Sequence, residues 1–181
     1  MTRDTNSQYI QQFSSCKEIF LLKATDYGAT WRVFRPSSLT DQLYIKAQRI
    51  RSIEEKGRQM VNDSIADEFK GLVNYSIMAI IQSEKGVLAD LREGEPLDLW
   101  YDEQRNRAQA LMQAKNHDYG EAWRDMRVSS MTDLILVKLL RIKQIENNKG
   151  KTIISEGIQS NYLDIINYAI FALILLSEDT H

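Results

Sequence analysis

At 181 residues, with 43% apolar and 27% charged side chains, the chain is long enough for a substantial core and has the balance of a soluble globular protein. Its formal net charge of −2 supplies no field to draw in a polyanion, which argues against a general nucleic-acid binder or an anionic-membrane binder. A single cysteine, Cys16, excludes an intramolecular disulfide and a thiolate zinc cluster, and is expected to pack as a small apolar group.

Helical periodicity runs through nearly the whole chain, broken by only two prolines and eight glycines, and no stretch alternates convincingly as a strand does. The opening MTRDTNSQYIQQF has no apolar leader, so a cytoplasmic location is expected. A first helix is predicted over about residues 7–23, with Ile10, Phe13, Cys16, Lys17, Phe20 and Leu21 on one stripe. Residues 26–37, with Gly28 and Pro36, read as a loop. A second helix follows over about 39–55, its start marked by the capping-box pattern Ser38-Leu39-Thr40-Asp41. Gly57 breaks the chain and a third helix covers about 61–83. After a junction with Gly86, Gly94 and Pro96 the plan repeats, with helices from about 97, from about 131 behind Ser130-Met131-Thr132-Asp133, and over about 154–177. The most apolar run, 165–176, contains Asn167 and is shorter than the roughly 20 residues a bilayer requires, so it reads as a buried core helix. The predicted fold is all-α: six main helices in two pseudo-symmetric three-helix repeats forming one bundle, with residues 1–84 as the first repeat, 85–96 as the junction and 97–181 as the second.

Residues 23–54 and 115–146 are two copies of one segment, offset by 92 positions (115 minus 23), and sixteen of the 32 paired positions are identical. The shared residues are largely charged or aromatic, where packing alone would repeat only an apolar pattern. They include Lys23/Lys115, Asp26/Asp118, Tyr27/Tyr119, Trp31/Trp123, Arg32/Arg124, Arg35/Arg127, Lys46/Lys138, Arg49/Arg141 and Glu54/Glu146. Beyond the first glycine break the register slips by one residue, so Asn74-Tyr75 pairs with Asn167-Tyr168. Each half then resembles a protomer of a homodimer, and a fused pair would bury an isologous surface within one chain. Two separate three-helix units on a linker form the alternative, and further homodimerisation is left open.

Three features carry chemistry. Leu39, Leu43, Ile50 and Ile53 define an apolar stripe on which Lys46 also lies, and Lys138 is flanked alike by Ile135 and Ile142. An inward lysine is costly unless it meets a carboxylate or a ligand, the structural alternative being a stem that snorkels along apolar surface. In the last helix Asp164 and Asn167 interrupt an apolar run, and a buried carboxylate there needs a metal, several hydrogen bonds or a cation such as Lys138 or Arg141. The first copy has Gly71 where the second has Asp164, and Glu68 where the second has Asn161, so the two sites are expected to be unequal. The loop DYGxxWRxxR offers aromatic faces for a base and paired N–H donors for phosphate; its structural alternative is a packed corner with arginines bridging to acids. His117 and His181 have no partner pattern, and no phosphate-loop, dinucleotide, HExxH or nucleophile-elbow motif is present.

The string K-x-x-D-Y-G-x-x-W, a helix with K-x-x-R-I and a helix running L-D-I-I-N-Y-A-I resemble the nucleotide modification associated domain 1 family, a domain of unknown function, across both repeats. The last helix is more distantly similar to the metal-binding helix of the all-α nucleoside triphosphate pyrophosphohydrolases of MazG and dimeric dUTPase type. Those enzymes hold Mg²⁺ around a triphosphate with Glu-x-x-Glu on one helix and Glu-x-x-Asp on another. That similarity implies Asp164 as the final acid and Glu68, in the first repeat, as the preceding one. No Glu-x-x-Glu stands on the 39–55 helix or its copy, where Glu54, Glu55 and Glu146 are the nearest acids, so the pattern departs from the oxygen-rich shell Mg²⁺ needs.

The expected function is therefore binding of a small-molecule nucleotide, whose enzymatic form would be Mg²⁺-dependent hydrolysis of a (deoxy)nucleoside triphosphate to monophosphate and pyrophosphate. Asp164, with Glu146 or Asp118, would hold Mg²⁺, with Glu68 as the first-repeat acid. Lys138, Arg141 and Lys115 would neutralise phosphates, and Tyr119 or Trp123 would stack on the base. Arg124, Arg127 and Asn167 complete this set, and Lys23, Asp26, Tyr27, Trp31, Lys46, Arg49 and Asn74 are the first-repeat counterparts. The second repeat is the expected competent half because it keeps Asp164. The rival is a non-catalytic structural or interaction protein whose repeated charges form buried ion-pair networks.

Overall fold

A computed structural model describes residues 4–57, 64–153 and 156–179, and among them there are six α-helices, two short 3-10 turns and no strand. Asp4 accepts a hydrogen bond from the Asn6 N–H and caps α1 (Thr5–Tyr27), which stops at Gly28. The repeated Trp and Arg follow on a 3-10 turn, Thr30–Val33. Pro36 opens α2 (Pro36–Lys56), its fixed φ and missing N–H being harmless in a first turn. Gly57, at φ 68°, closes α2 in the left-handed conformation that glycine adopts without a Cβ penalty. The second half replays this order as α4 (Leu97–Tyr119), a 3-10 turn at Ala122–Asp125 and α5 (Val128–Asn147). The third helices of the two halves are α3 (Ile65–Lys85) and α6 (Ile158–Asp179). Their expected first residues, around 61–63 and 154–155, lie outside the described residues.

Two expectations are corrected here. The capping boxes do not form at Ser38–Asp41 or Ser130–Asp133, because α2 and α5 begin earlier, at Pro36 and Val128, behind Arg35 and Arg127, which make no side-chain cap. Those four-residue patterns therefore sit inside the helices. The capping box that does form lies at the start of α3, where the Ser64 hydroxyl accepts from the Asp67 N–H and the Asp67 carboxylate from the Ser64 N–H. On α1 the inward stripe holds Tyr9, Phe13, Cys16 and Phe20, while Ile10 is exposed, since Tyr9 can bury its ring and still bond through its hydroxyl. Burial pushes the Cys16 thiol up to about 12, consistent with an inert packing role.

Helices α2, α3, α5 and α6 pack as a central layer in which α3 meets α6 and α2 meets α5, and α1 and α4 both lie against α3 and α6. By length and composition α6 is long and apolar enough to cross a membrane, but 67% of that window is enclosed by the other helices. The halves exchange equivalent contacts, as twofold-related protomers do. Thr40 donates to Glu146 at 2.7 Å, and its counterpart Thr132 donates to Glu54 at 3.2 Å. Asp41 pairs with Lys143 at 3.1 Å and Asp133 with Arg51 at 3.8 Å. Deepest of all, the Tyr9 hydroxyl donates to Asn167 at 2.7 Å and the Tyr101 hydroxyl to Asn74 at 2.8 Å. Each asparagine uses its NH₂ group on a backbone carbonyl of the first helix in its own half, Asn74 on Cys16 at 2.9 Å and Asn167 on Ala108 at 3.1 Å.

Tyr9→Phe and Tyr101→Phe should each lower stability by about 1–2 kcal/mol, because each strands a buried asparagine oxygen; urea denaturation of the single variants measures this. Burial pushes Glu54 and Glu146 above the usual carboxylate range, against the lowering effect of their threonine hydrogen bonds. The folded state therefore holds these protons more tightly, and stability falls as pH rises from the unfolded value of about 4.3 through the raised folded values. A Glu54→Gln/Glu146→Gln variant should lose less stability than wild type between about pH 4 and pH 7, read from urea midpoints at the two pH values.

Candidate functional site

The two repeated arginines of the DYGxxWRxxR loops act as fasteners. Arg32 is 2% exposed. It donates to the Gln82 side chain, to the Gly86 carbonyl at 2.7 Å and to Glu95 at 3.1 Å, tying the 3-10 turn to the end of α3 and to the junction. Its guanidinium also lies over the Trp31 and Trp100 rings at 5.8 and 5.7 Å. Arg124 bonds Glu121 at 2.8 Å, Glu178 at 3.1 Å, and Thr5 and Gln8 at 2.7 Å each, joining the second 3-10 turn to both chain ends of the bundle. With their donors engaged in this way, both belong to the packed-corner alternative.

The repeated lysines behave differently in the two halves. In the second half, Asp164 is 7% exposed and each carboxylate oxygen faces one ammonium: Lys138 at 2.8 Å and Lys115 at 2.9 Å. Burial opposes the charge on Lys115, but the hydrogen bond and field of Asp164 outweigh it and hold that lysine above its ordinary pKa. Beside this triad the Trp123 ring stacks on Phe171, with centroids 4.2 Å apart and planes inclined by 5°.

In the first half the corresponding space is a cavity of about 710 Å³ between the end of α1, the 3-10 turn, α2 and α3. Gly71 stands where Asp164 stands, and Met78 where Phe171 does. Lys23, Lys46 and Lys70 line the cavity, as do the aromatic rings of Phe20, Trp31, Phe34, Tyr27 and Tyr75. Lys46 lies 3.7 Å from Glu68, whose other oxygen accepts from Arg49 at 3.1 Å, and its ammonium sits 5.2 Å from the Tyr75 ring centroid. Lys23 has no ion-pair or hydrogen-bond partner among the described residues. Glu68, Lys70 and Asp67 have the uncharged Asn161, Leu163 and Ser160 as counterparts, so these three charges of the lining belong to the first half alone.

The remaining candidates are dispersed. Glu146 bonds Thr40 at the seam between the halves, eight residues, or about 12 Å of helix, beyond Lys138, and shares no partner with Asp164. Asn74 and Asn167 are committed to the tyrosine contacts already described. Asp26 is exposed, as are Asp118, which among the described residues pairs with His117 at 3.1 Å, and Tyr119, 78% exposed. Arg127 and Arg141 line two other, more open surface clefts, that of Arg141 holding about 970 Å³ and lined also by Lys138 and Ile145. Among the described residues no three His, Cys, Asp or Glu side chains converge as metal ligands would. Sequence reasoning missed Lys70 and Met78, which have no identical counterpart in the other copy. Tyr75 it could have found, since the tyrosine recurs at Tyr168 beside the repeated asparagine.

The sequence profile of the nucleotide modification associated domain 1 family matches residues 23–83 and again residues 115–176. The chain belongs to that family. Its two matched segments cover more than half of the chain and coincide with the duplicated helices, so both halves are family copies. No curated protein and no solved structure matches the chain.

In the second half, Asp164→Ala leaves two ammonium groups facing each other and should cost about 1–3 kcal/mol. Lys115→Ala should cost under about 1 kcal/mol, because Lys138 still pairs the carboxylate and Lys115 is half exposed. Chemical denaturation of the two single variants checks this order.

Proposed function

We propose that the first half binds a small-molecule nucleotide in the cavity between α1, α2 and α3, with its phosphates toward Lys23 and Lys46 and its base among the aromatic rings. One observation carries the reading: a single cavity joins a lysine without a partner to a wall of aromatic side chains. Ammonium groups supply the point charges that phosphate needs, and Trp31, Tyr75 and Phe20 offer apolar and π surface to a planar base. A volume of about 710 Å³ lies within the roughly 300–1,000 Å³ common for small-molecule sites. The family's name, which associates it with nucleotide modification, points the same way.

The reading stops at binding. Glu68, the acid paired with Lys46, faces two cations, while Asp67 is occupied by the cap of α3. A second reading, a structural protein without a ligand, is favoured by the arginine fasteners of both halves, which account for much of the repeated charge without any partner.

Thermal shift against a panel of nucleoside mono-, di- and triphosphates, with and without Mg²⁺, separates the two. Stabilisation by at least one nucleotide at excess concentration is expected, weakened about tenfold in affinity by Lys23→Ala, which breaks no ion pair or hydrogen bond among the described residues. No stabilisation by any nucleotide would leave the structural reading. Pyrophosphate release in the same mixtures tests the hydrolytic form.

A further inference from the structure

The second half contains a worked example of how this site holds an anion. Its two repeated lysines, Lys115 and Lys138, close on the Asp164 carboxylate from either side at 2.9 and 2.8 Å. The first half keeps both lysines, as Lys23 and Lys46, on the equivalent helices, and replaces the carboxylate with the hydrogen of Gly71. Gly71 is helical, with no positive φ that would demand glycine, so its backbone does not explain it. What lies over it does. A Cβ built on Gly71 would meet Cδ, Cε and Nζ of Lys46, all at 3.3 Å, so the ammonium rests where an aspartate side chain would project.

Resting on the nucleotide reading, we infer that the part of the cavity lined by Lys23, Lys46 and Gly71 is the phosphate subsite of the first half, the flexible Lys46 side chain that lies over Gly71 turning onto the ligand, and that Asp164 is its built-in occupant in the second. The duplicated chain thus has one open and one self-filled copy of the same anion site. Two further differences follow the same division. Phe171 stacks on Trp123 and fills the aromatic part of the second site, where Met78 leaves the Trp31 side of the first open to the cavity. Lys70 adds a third ammonium to the open copy, at the position of Leu163. The ligand group must be anionic and compact enough to enter between two ammonium groups. A terminal or β-phosphate meets that description, while a neutral nucleoside would lose the contact altogether.

The test copies the second half into the first. In Gly71→Asp the new carboxylate is expected to pair with Lys23 and Lys46 as Asp164 does with its lysines, so the variant should fold, with a melting temperature at or above that of wild type. It should lose at least tenfold in affinity for pyrophosphate by isothermal titration at low salt, pyrophosphate being the probe that needs no base pocket. Gly71→Asn, of equal size without the charge, should lose less than Gly71→Asp; an equal loss would make the effect one of bulk and overturn the assignment. Wild type that fails to take up pyrophosphate, or Gly71→Asp that binds it as wild type does, overturns it equally. The nucleotide reading fails separately: if pyrophosphate binds at the Gly71 subsite but no nucleotide binds better than pyrophosphate, the subsite stands and the base pocket does not. Nucleotide binding that survives Gly71→Asp unchanged leaves the reading in place and removes this subsite.

Discussion

Tyr9 and Tyr101 reach across the middle of the molecule to Asn167 and Asn74, and the arrangement of both halves depends on that exchange. Each asparagine sits in the apolar interior of a third helix, where its amide would be costly if left unpaired. Its NH₂ group is satisfied within its own half, by a carbonyl of α1 or α4, and its oxygen, among the described residues, by the tyrosine of the other half. Neither half can therefore complete its own buried polar inventory. The Thr40–Glu146 and Thr132–Glu54 contacts extend the same reciprocity along α2 and α5. Such directional bonds select one register among the many in which apolar helices could slide past each other.

On this symmetric frame the side chains have diverged at a few positions that decide what space remains. Equivalent helices bring Lys23 and Lys46, or Lys115 and Lys138, toward the same point. Exchanges such as Gly71 against Asp164 and Met78 against Phe171 distinguish the first-half cavity from the ion-paired triad of the second. The charge that a ligand would bring to the first half is covalently present in the second. The repeated arginines hold the 3-10 turns against the bundle, while the lysines are carried by the helices on either side of those turns.

Much of this was legible in the chain. Periodicity and glycine breaks located all six helices, and the duplicated segment announced two related halves. The inward position of Lys46 and Lys138 followed from the apolar residues on either side of them. The capping boxes misled because Ser-x-x-Asp satisfies the same local pattern wherever it occurs, and the pattern carries no information that Pro36 and Val128 had already begun each helix. Asp164 drew attention as a buried acid in an apolar helix, and that inference was sound. Its partners were not decided by spacing: Lys115 is 49 residues away and on another helix, so only the packing of α4 against α6 brings them together.

The helical class, the twofold plan and the residues common to both halves can be read from the chain alone, because they depend on local period and on self-comparison. Tertiary structure decided which of the shared residues are fasteners and which remain free. An arginine and a lysine look alike as repeated cations until the distances show Arg32 enclosed by Gln82, Gly86 and Glu95, and Lys23 facing a cavity. Whether a space exists at all is a property of what the neighbouring helices fail to fill. No single segment encodes that, since the cavity beside Gly71 and Lys46 is bounded by α1, α2 and α3 at once.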